Sequence, residues 1–126
     1  LRDTMAWPSE KGYTAAWTAM GEGLVDWKQY FEHFAKVCPA APVCIETISG
    51  FNRELTVKND DFWKAWPKGK PKGYKKFEAF AKRGKPIGTF KAPEGLDRKI
   101  AQQNFQKDDI ARSIKYCREI GLGRDR

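Results

Sequence analysis

Residues 43–48, with the sequence VCIETI, constrain the fold most, because this run is short, apolar and rich in β-branched side chains. Pro42 and Gly50 bound the run. A run of this kind predicts a strand that is buried on both faces, as in a parallel sheet covered by helices. The run also contains a carboxylate, Glu46, and a buried carboxylate must be paired, hydrogen-bonded or bound to a metal. A metal ion and a salt bridge, for example to Arg53, both stay open.

The residues before this run predict a loop followed by a helix. Residues 6–23 contain Pro8 and three scattered glycines and show no helical or strand periodicity, which predicts a long loop. Asp26 is a natural N-cap with Gln29 three residues later, and aromatic side chains then recur at three and four residues until Pro39. A loop, a helix, a turn and a buried strand in this order predict an α/β fold.

Three more helices are predicted after the run. A short helix follows the N-cap candidate Asn59, a second covers residues 72–83, and a third covers about residues 108–120. Residues 85–97 contain prolines and glycines and predict a connection between the last two helices. No internal repeat divides the chain, so residues 1–126 are predicted to form a single unit.

The net charge of +8 is concentrated in residues 68–85, which we call the basic segment. A basic patch beside aromatic residues is able to bind phosphates, which keeps an anion-binding or nucleic-acid-binding module as an alternative function. Pro71 and three glycines interrupt the segment, and no nucleic-acid-binding motif accompanies it. The start of a solvated helix is therefore the favoured interpretation, and nucleic acid is not an expected partner.

The cysteines and the overall hydropathy bear on the compartment. Cys38, Cys44 and Cys117 are odd in number and lack the CxxC spacing of a zinc site, so they are predicted to be free, mostly buried thiols. Free thiols favour a reducing compartment, and we expect a cytoplasmic protein. No apolar run reaches roughly 20 residues, so no membrane association is expected. The start at Leu1 resembles a cut through an element, so we expect a longer natural protein, and an export signal upstream stays open.

Four motifs, in their order and spacing, resemble the C-terminal part of the sugar phosphate isomerase/epimerase family of xylose-isomerase-like TIM barrels. They are LRDT at residues 1–4, MGEGLVDW at 20–27, IETISG at 45–50 and, more weakly, DIARSIKYCRE at 109–119. The resemblance implies a C-terminal fragment of a (β/α)8 barrel. Residues 1–4 would be strand seven, residues 26–37 an outer helix and residues 43–48 strand eight, followed by a helical C-terminal extension.

The resemblance also implies metal-assisted proton transfer on a small-molecule sugar or sugar phosphate. In the family, two glutamates, an aspartate and a histidine hold a divalent metal ion at the C-terminal mouth of the barrel. Glu46 matches the glutamate of the last strand, so it is the implied metal ligand and catalytic acid/base; Mn, Mg, Co and Zn stay open. The metal stabilises the enediolate that forms when a proton leaves the carbon next to a carbonyl. The other ligands are expected upstream of Leu1, so residues 1–126 alone are expected to be inactive.

Five other residues are candidates for a pocket or for positioning the metal ligands: Asp3, Trp7, Trp17, Glu22 and Arg53. Asp3 ends the implied strand seven, where it either orients a ligand or holds a neighbouring loop. The two tryptophans lie in the predicted loop, where they either line a pocket or pack on a neighbouring element. Glu22 lies in a Gly-Glu-Gly turn, and a structural role of this turn is favoured because glycine adopts backbone conformations barred to other residues.

Two departures from related proteins bear on the reaction. Related zinc apurinic endonucleases carry an Asp-Arg-His cluster before the Gly-Glu-Gly turn, whereas residues 13–20 read YTAAWTAM here, which disfavours a three-metal DNA-repair site. Family epimerases often have an arginine near the position of Trp17, and its absence leaves the sugar and the reaction subtype open. A metal-dependent hydrolase or endonuclease on the same barrel stays an alternative.

Overall fold

A computed structural model describes residues 1–123, and every element below belongs to that range. Three strands form one antiparallel sheet in the order β1-β2-β3, and the same range contains four helices. The strands are β1 Asp3–Ser9, β2 Gly12–Thr18 and β3 Asn52–Leu55. The helices are α1 Trp27–Val37, α2 Asp60–Trp63, α3 Tyr74–Ala81 and α4 Arg98–Glu119.

A β-hairpin stands where the sequence predicts a long loop over residues 6–23, so that prediction is wrong. Strands β1 and β2 pair along their whole length, and the pairing of Ser9 with Gly12 leaves a two-residue turn between them. A turn of this length is a common way to join adjacent antiparallel strands. Pro8 therefore lies within a strand and Gly12 begins one, and neither marks a structureless loop.

The hairpin is covered on both faces, which explains why its sequence shows no alternation. Ala6 and Tyr13 belong to the core on one face, whereas Met5 and Ala16 belong to the core on the other. A half-buried strand alternates apolar and polar residues, but a strand that is covered on both faces does not. The period-2 pattern is therefore weak in this part of the sequence.

The antiparallel sheet contradicts the predicted fragment of a (β/α)8 barrel, in which strands seven and eight are parallel and joined by a helix. Residues 3–9 pair instead with the segment that follows them directly, because a tight turn closes a hairpin without a crossover. Residues 43–48 form no strand, and Val43 is 43% exposed rather than buried. This run is nevertheless tied to Leu1. The Leu1 ammonium donates to the Cys44 carbonyl, and the Glu46 N–H donates to the Leu1 carbonyl at 2.7 Å.

The helix starts agree better with the sequence. Asp26 caps α1 by accepting a hydrogen bond from the Gln29 N–H at 3.0 Å, and Asn59 caps α2 in the same way. Both predicted N-caps are confirmed. α3 lies inside the range predicted for it, whereas α4 begins at Arg98, well before residue 108. None of the helices within residues 1–123 combines the length and the apolar character needed to cross a membrane.

Helix α3 packs against β1 and is fixed there at its C-terminal end. Ala81, which is fully buried, shares a core with Ala6, Tyr13 and Val57. Gly84, just past the helix, lies so close to the Ala6 carbonyl that a Cβ atom at this position would overlap with it. Only glycine permits this approach of the backbone to β1. The helix therefore presents its opposite face to solvent in a defined orientation.

Asp3 is fully buried and holds the turn at residues 21–23, which we call the glycine turn. One carboxylate oxygen accepts hydrogen bonds from the Gly21 and Gly23 N–H groups, both at 3.0 Å. The other accepts from the Thr4 N–H at 2.8 Å and the Val25 N–H at 3.3 Å. A Cβ on Gly23 would overlap the Asp3 carboxylate, so glycine is required at that position. Asp3 therefore has a structural role and does not face a pocket.

The Asp3→Asn variant tests this network. Asparagine keeps the shape of the side chain but places an NH2 group against two backbone N–H donors. We expect the free energy of unfolding to fall by about 2 kcal/mol or more, because buried donors lose their acceptor. Urea unfolding measures this change. Asp61→Asn is the control, since Asp61 is 71% exposed and paired only with Lys64, and it should cost less than about 0.5 kcal/mol. Similar losses in the two variants would contradict the assigned role.

The three cysteines are free, as predicted, but the prediction that they are mostly buried is wrong for two of them. Cys38 follows the last turn of α1, and Cys44 lies in the run that forms no strand; both are exposed. Cys117 is 8% exposed and packs with Met20 and Trp27. Burial raises the pKa of the Cys117 thiol, although the N-terminal ammonium opposes the shift.

Thiol labelling tests how α4 packs. With a thiol-specific disulfide reagent at pH 8, we expect two thiols to react quickly and the third on the order of 100-fold more slowly, because a buried, protonated thiol is unreactive. In the Cys117→Ser variant the slow phase should disappear while the two fast thiols remain. Reaction of all three thiols at one rate in the native protein would show that α4 does not pack as described.

Candidate functional site

Glu46 lies at an exposed surface and is paired with Arg2. The Glu46 side chain is 60% exposed, and its carboxylate lies 3.3 Å from Nη1 of Arg2. The angles at this contact are not those of a hydrogen bond, and Nη1 has no hydrogen-bond partner within residues 1–123. The pair is therefore an ionic contact. Arg53, the suggested salt-bridge partner of Glu46, does not form that pair.

Trp17 brings Arg53 into the same surface. The Arg2 guanidinium carbon lies 4.6 Å from the centroid of the Trp17 ring, and that of Arg53 lies 5.3 Å from it. Arg53 pairs with Ala15 across β2 and β3, so it shares a face with Trp17, two residues further along β2. Cation–π contacts restrain both guanidinium groups. We call Arg2, Trp17, Glu46 and Arg53 the guanidinium cluster.

A cleft of about 390 Å³ begins at Trp17 and extends towards α4. Its lining includes Gly88, Thr89 and four charged residues: Glu22, Lys85, Asp109 and Arg112. Its size falls within the range of about 300 to 1,000 Å³ that small-molecule sites occupy. The cleft and the guanidinium cluster share Trp17, so they form one continuous surface.

The wall of the cleft contains a buried polar network that sequence reasoning missed. Asp109 on α4 is 2% exposed; it accepts a hydrogen bond from the Ser49 hydroxyl and another from Nη2 of Arg112 at 2.9 Å. Nε of Arg112 donates to Glu22 at 2.7 Å. The Ser113 hydroxyl donates to the Asp109 carbonyl and accepts from the Met20 N–H. The only sequence signal was the spacing of Asp109, Arg112 and Ser113 along one helix face.

The structure separates the predicted site residues into two groups. Trp17, Glu22, Glu46 and Arg53 lie at the cleft or in the guanidinium cluster. The Asp3 carboxylate is instead hydrogen-bonded to the glycine turn. Trp7 is buried with Met5 and Ala16 in the core, so the pocket alternative for Trp7 is not realised.

The described residues do not fit a divalent metal site. Within residues 1–123, no group of three histidine, cysteine, aspartate or glutamate side chains is arranged to hold a metal ion. The neighbour of Glu46 is a guanidinium, which repels a cation. The metal-dependent reaction implied by the resemblance therefore stays a prediction.

No family model matches the sequence, and neither a curated protein nor a solved structure shows significant similarity to it. The resemblance to the sugar phosphate isomerase/epimerase family accordingly stays a prediction based on the four motifs.

Replacing Arg112 tests the network in the cleft wall. Arg112→Met keeps the length of the side chain but leaves the buried Asp109 carboxylate with Ser49 as its remaining side-chain donor. We expect the free energy of unfolding to fall by about 2 kcal/mol, because a buried charge loses a charged partner. Glu22→Gln should cost less than about 1 kcal/mol, since Glu22 is half exposed. Urea unfolding measures both changes. Equal losses of unfolding free energy in the two variants would contradict a stabilising role of the hydrogen bond between Arg112 and Asp109.

Proposed function

We propose that the guanidinium cluster binds a sugar or sugar phosphate and that Glu46 transfers a proton on it, as an isomerase or epimerase requires. Because Arg2 takes the charge-stabilising role in this proposal, the reaction needs none of the metal ligands expected upstream of Leu1, and residues 1–126 are expected to be active. The observation that carries the proposal is the position of Arg2, whose guanidinium contacts both the Glu46 carboxylate at 3.3 Å and the Trp17 ring at 4.6 Å from its centroid. A carboxylate base, a cation beside it and an aromatic support thus occur together on one exposed surface.

The two arginines favour an anionic substrate. Arg53 is exposed and forms no salt bridge with any residue in the range 1–123. Its donors are available to a phosphate, which a planar guanidinium binds through two parallel hydrogen bonds. Because Trp17 already restrains both guanidinium groups, less side-chain freedom is lost when an anion binds.

Glu46 is suited to proton transfer because it reaches solvent and lies beside a cation. It takes a proton from the carbon next to a carbonyl, and the C–H electron pair moves to the carbonyl oxygen to give an enediolate. Arg2 stabilises the negative charge on that oxygen. Return of the proton to the neighbouring carbon, with transfer of the hydroxyl proton to the former carbonyl oxygen, completes an isomerisation. Protonation of the original carbon on its opposite face by a solvent water, while Glu46 keeps the proton it took, completes an epimerisation.

The cleft beside Trp17 offers room for the part of the substrate that does not react. Sugar hydroxyls require both donors and acceptors, and the residues that line the cleft include both kinds in Lys85, Glu22 and Thr89. Lys85 forms no salt bridge within residues 1–123, so its ammonium group is available to a ligand. An uncharged end and a phosphate end of one substrate are thereby accommodated on different parts of the surface.

The Glu46→Gln variant separates binding from proton transfer. Exchange of the C–H proton of fructose 6-phosphate in D2O, followed by NMR, requires only the first half of the reaction. We expect the variant to lose the exchange by a factor of about 100 to 10,000, because the general base is removed. Its affinity for fructose 6-phosphate, measured by calorimetry, should change by less than about threefold, since the arginines provide most of the phosphate binding.

The control for this variant is Glu54→Gln. Glu54 lies next to Arg53 on β3, is paired with Lys11 and has no contact with the guanidinium cluster, so its removal should change neither exchange nor affinity. Arg53→Met should weaken binding of fructose 6-phosphate about tenfold and leave binding of fructose unchanged. Unchanged exchange in Glu46→Gln would exclude Glu46 as the base. Failure of the native protein to bind fructose 6-phosphate at millimolar concentration would overturn the proposed function.

A further inference from the structure

The basic segment carries most of the net charge of the chain. Residues 68–85 contain eight lysines and arginines and a single acid, Glu78, so they hold seven of the eight net positive charges. All eight cationic residues are exposed. The guanidinium cluster uses none of them, and only Lys85 reaches the cleft.

These cations have no acidic partners in the described structure. None of the eight forms a salt bridge within residues 1–123. Glu78 faces the sheet instead, where it accepts a hydrogen bond from the Tyr13 hydroxyl at 3.3 Å. Burial and the Glu78 carboxylate raise the pKa of both Tyr13 and Tyr74, which places the acid on the inner side of α3. The outer side is therefore purely cationic.

Helix α3 and the turn that follows it arrange four of the cations as one stripe. Lys75 and Lys76 lie in α3, Lys82 is its C-cap and Arg83 is the next residue. When the helical spacing of 100° per residue is continued through the turn, the four positions fall within about 120° around the helix axis, with Ala79 between them. Their spread along the axis is about 12 Å, which matches several successive phosphates of one strand. Because the inner face of α3 is packed on β1, the stripe is held in place.

An exposed aromatic side chain, Trp66, lies two residues before the basic segment. Trp66 is 48% exposed, and no other aromatic ring in residues 1–123 stacks on it. It lies in a turn closed by the Gly69 N–H to Trp66 carbonyl bond at 2.8 Å. Lys70, which follows Gly69, places its ammonium group 5.1 Å from the Trp63 ring centroid and 4.9 Å from that of Tyr74, the first residue of α3. This contact joins the Trp66 turn to the helix.

We propose that the basic segment binds single-stranded nucleic acid, with the α3 stripe on successive phosphates and Trp66 stacked on a base. Unpaired cations supply the sequence-independent part of such binding. An exposed aromatic ring beside them favours a single strand, because only there is a base face available for stacking. An acidic protein or an anionic membrane would also bind the cations, but it would offer no nucleobase on which Trp66 could stack.

Two variants with equal loss of charge test the stripe by fluorescence anisotropy with a labelled twelve-nucleotide oligo(dT). The first is Lys75→Gln/Lys76→Gln/Lys82→Gln/Arg83→Gln, and the second, with lysines of α1 and α4, is Lys28→Gln/Lys36→Gln/Lys99→Gln/Lys107→Gln. We expect the first to bind on the order of 100-fold more weakly at about 50 mM salt, with the slope of log K against log salt smaller by about 3. The second should bind within about threefold of the native protein. Thermal unfolding checks that both variants are folded.

Trp66→Ala tests the stacking. Loss of one base stack should weaken binding by about 5- to 150-fold and leave the salt slope unchanged. Equal weakening by the two quadruple variants would overturn the site, because net charge alone would then explain binding. Undiminished affinity in Trp66→Ala, or equally tight binding of a duplex of the same length, of polyglutamate or of phosphatidylserine vesicles, would overturn the assignment of a single strand. Binding of fructose 6-phosphate should be unchanged in the stripe variant, which keeps this test independent of the proposed function.

Discussion

The burial of the Asp3 carboxylate is the interaction on which the geometry of the candidate site depends. A buried carboxylate is tolerated only when its oxygens are satisfied, and four backbone N–H groups satisfy them here. These bonds fix the start of β1 against the glycine turn. Arg2 precedes Asp3 directly, and Thr18, the partner of Asp3 across the hairpin, follows Trp17. The contact between Arg2 and Trp17 is therefore set by the same anchor.

A second buried carboxylate, Asp109, supports the glycine turn from the other side. It joins α4 to Ser49, three residues after Glu46, and through Arg112 to Glu22 within the turn. The two anchors thus converge on one turn from β1 and from α4. A polar network in a low-dielectric interior strengthens the structure when each member has a partner, and it penalises any arrangement that leaves one unpaired. The cleft between Trp17 and α4 consequently has walls that are defined on both sides.

Local features of this fold were readable from the sequence, whereas features that depend on distant partners were not. The N-caps Asp26 and Asn59 each bond to residues two or three positions away, so the relevant information lies within one turn. The hydrogen bond between Ser49 and Asp109 joins residues sixty positions apart, and no local pattern near either residue predicts it. The hairpin was missed because both of its faces are covered, and the barrel was wrongly expected because the order of motifs does not determine which strands pair. The same limit applies at the candidate site. The ionic partner of Glu46 is Arg2, which lies beside it only because of tertiary packing.

The positive charges of the chain divide into two kinds of surface with different physical behaviour. Arg2 and Arg53 are held against one tryptophan ring, with a single carboxylate beside them. Such an arrangement recognises a small anion by geometry, because each guanidinium has few orientations left. The lysines of the basic segment have no acidic partner within residues 1–123, and among them only Lys70 contacts an aromatic ring there, so they act on a polyanion mainly through counterion release. Salt should therefore weaken binding at the basic segment much more steeply than at the guanidinium cluster, since only the former replaces many condensed ions at once.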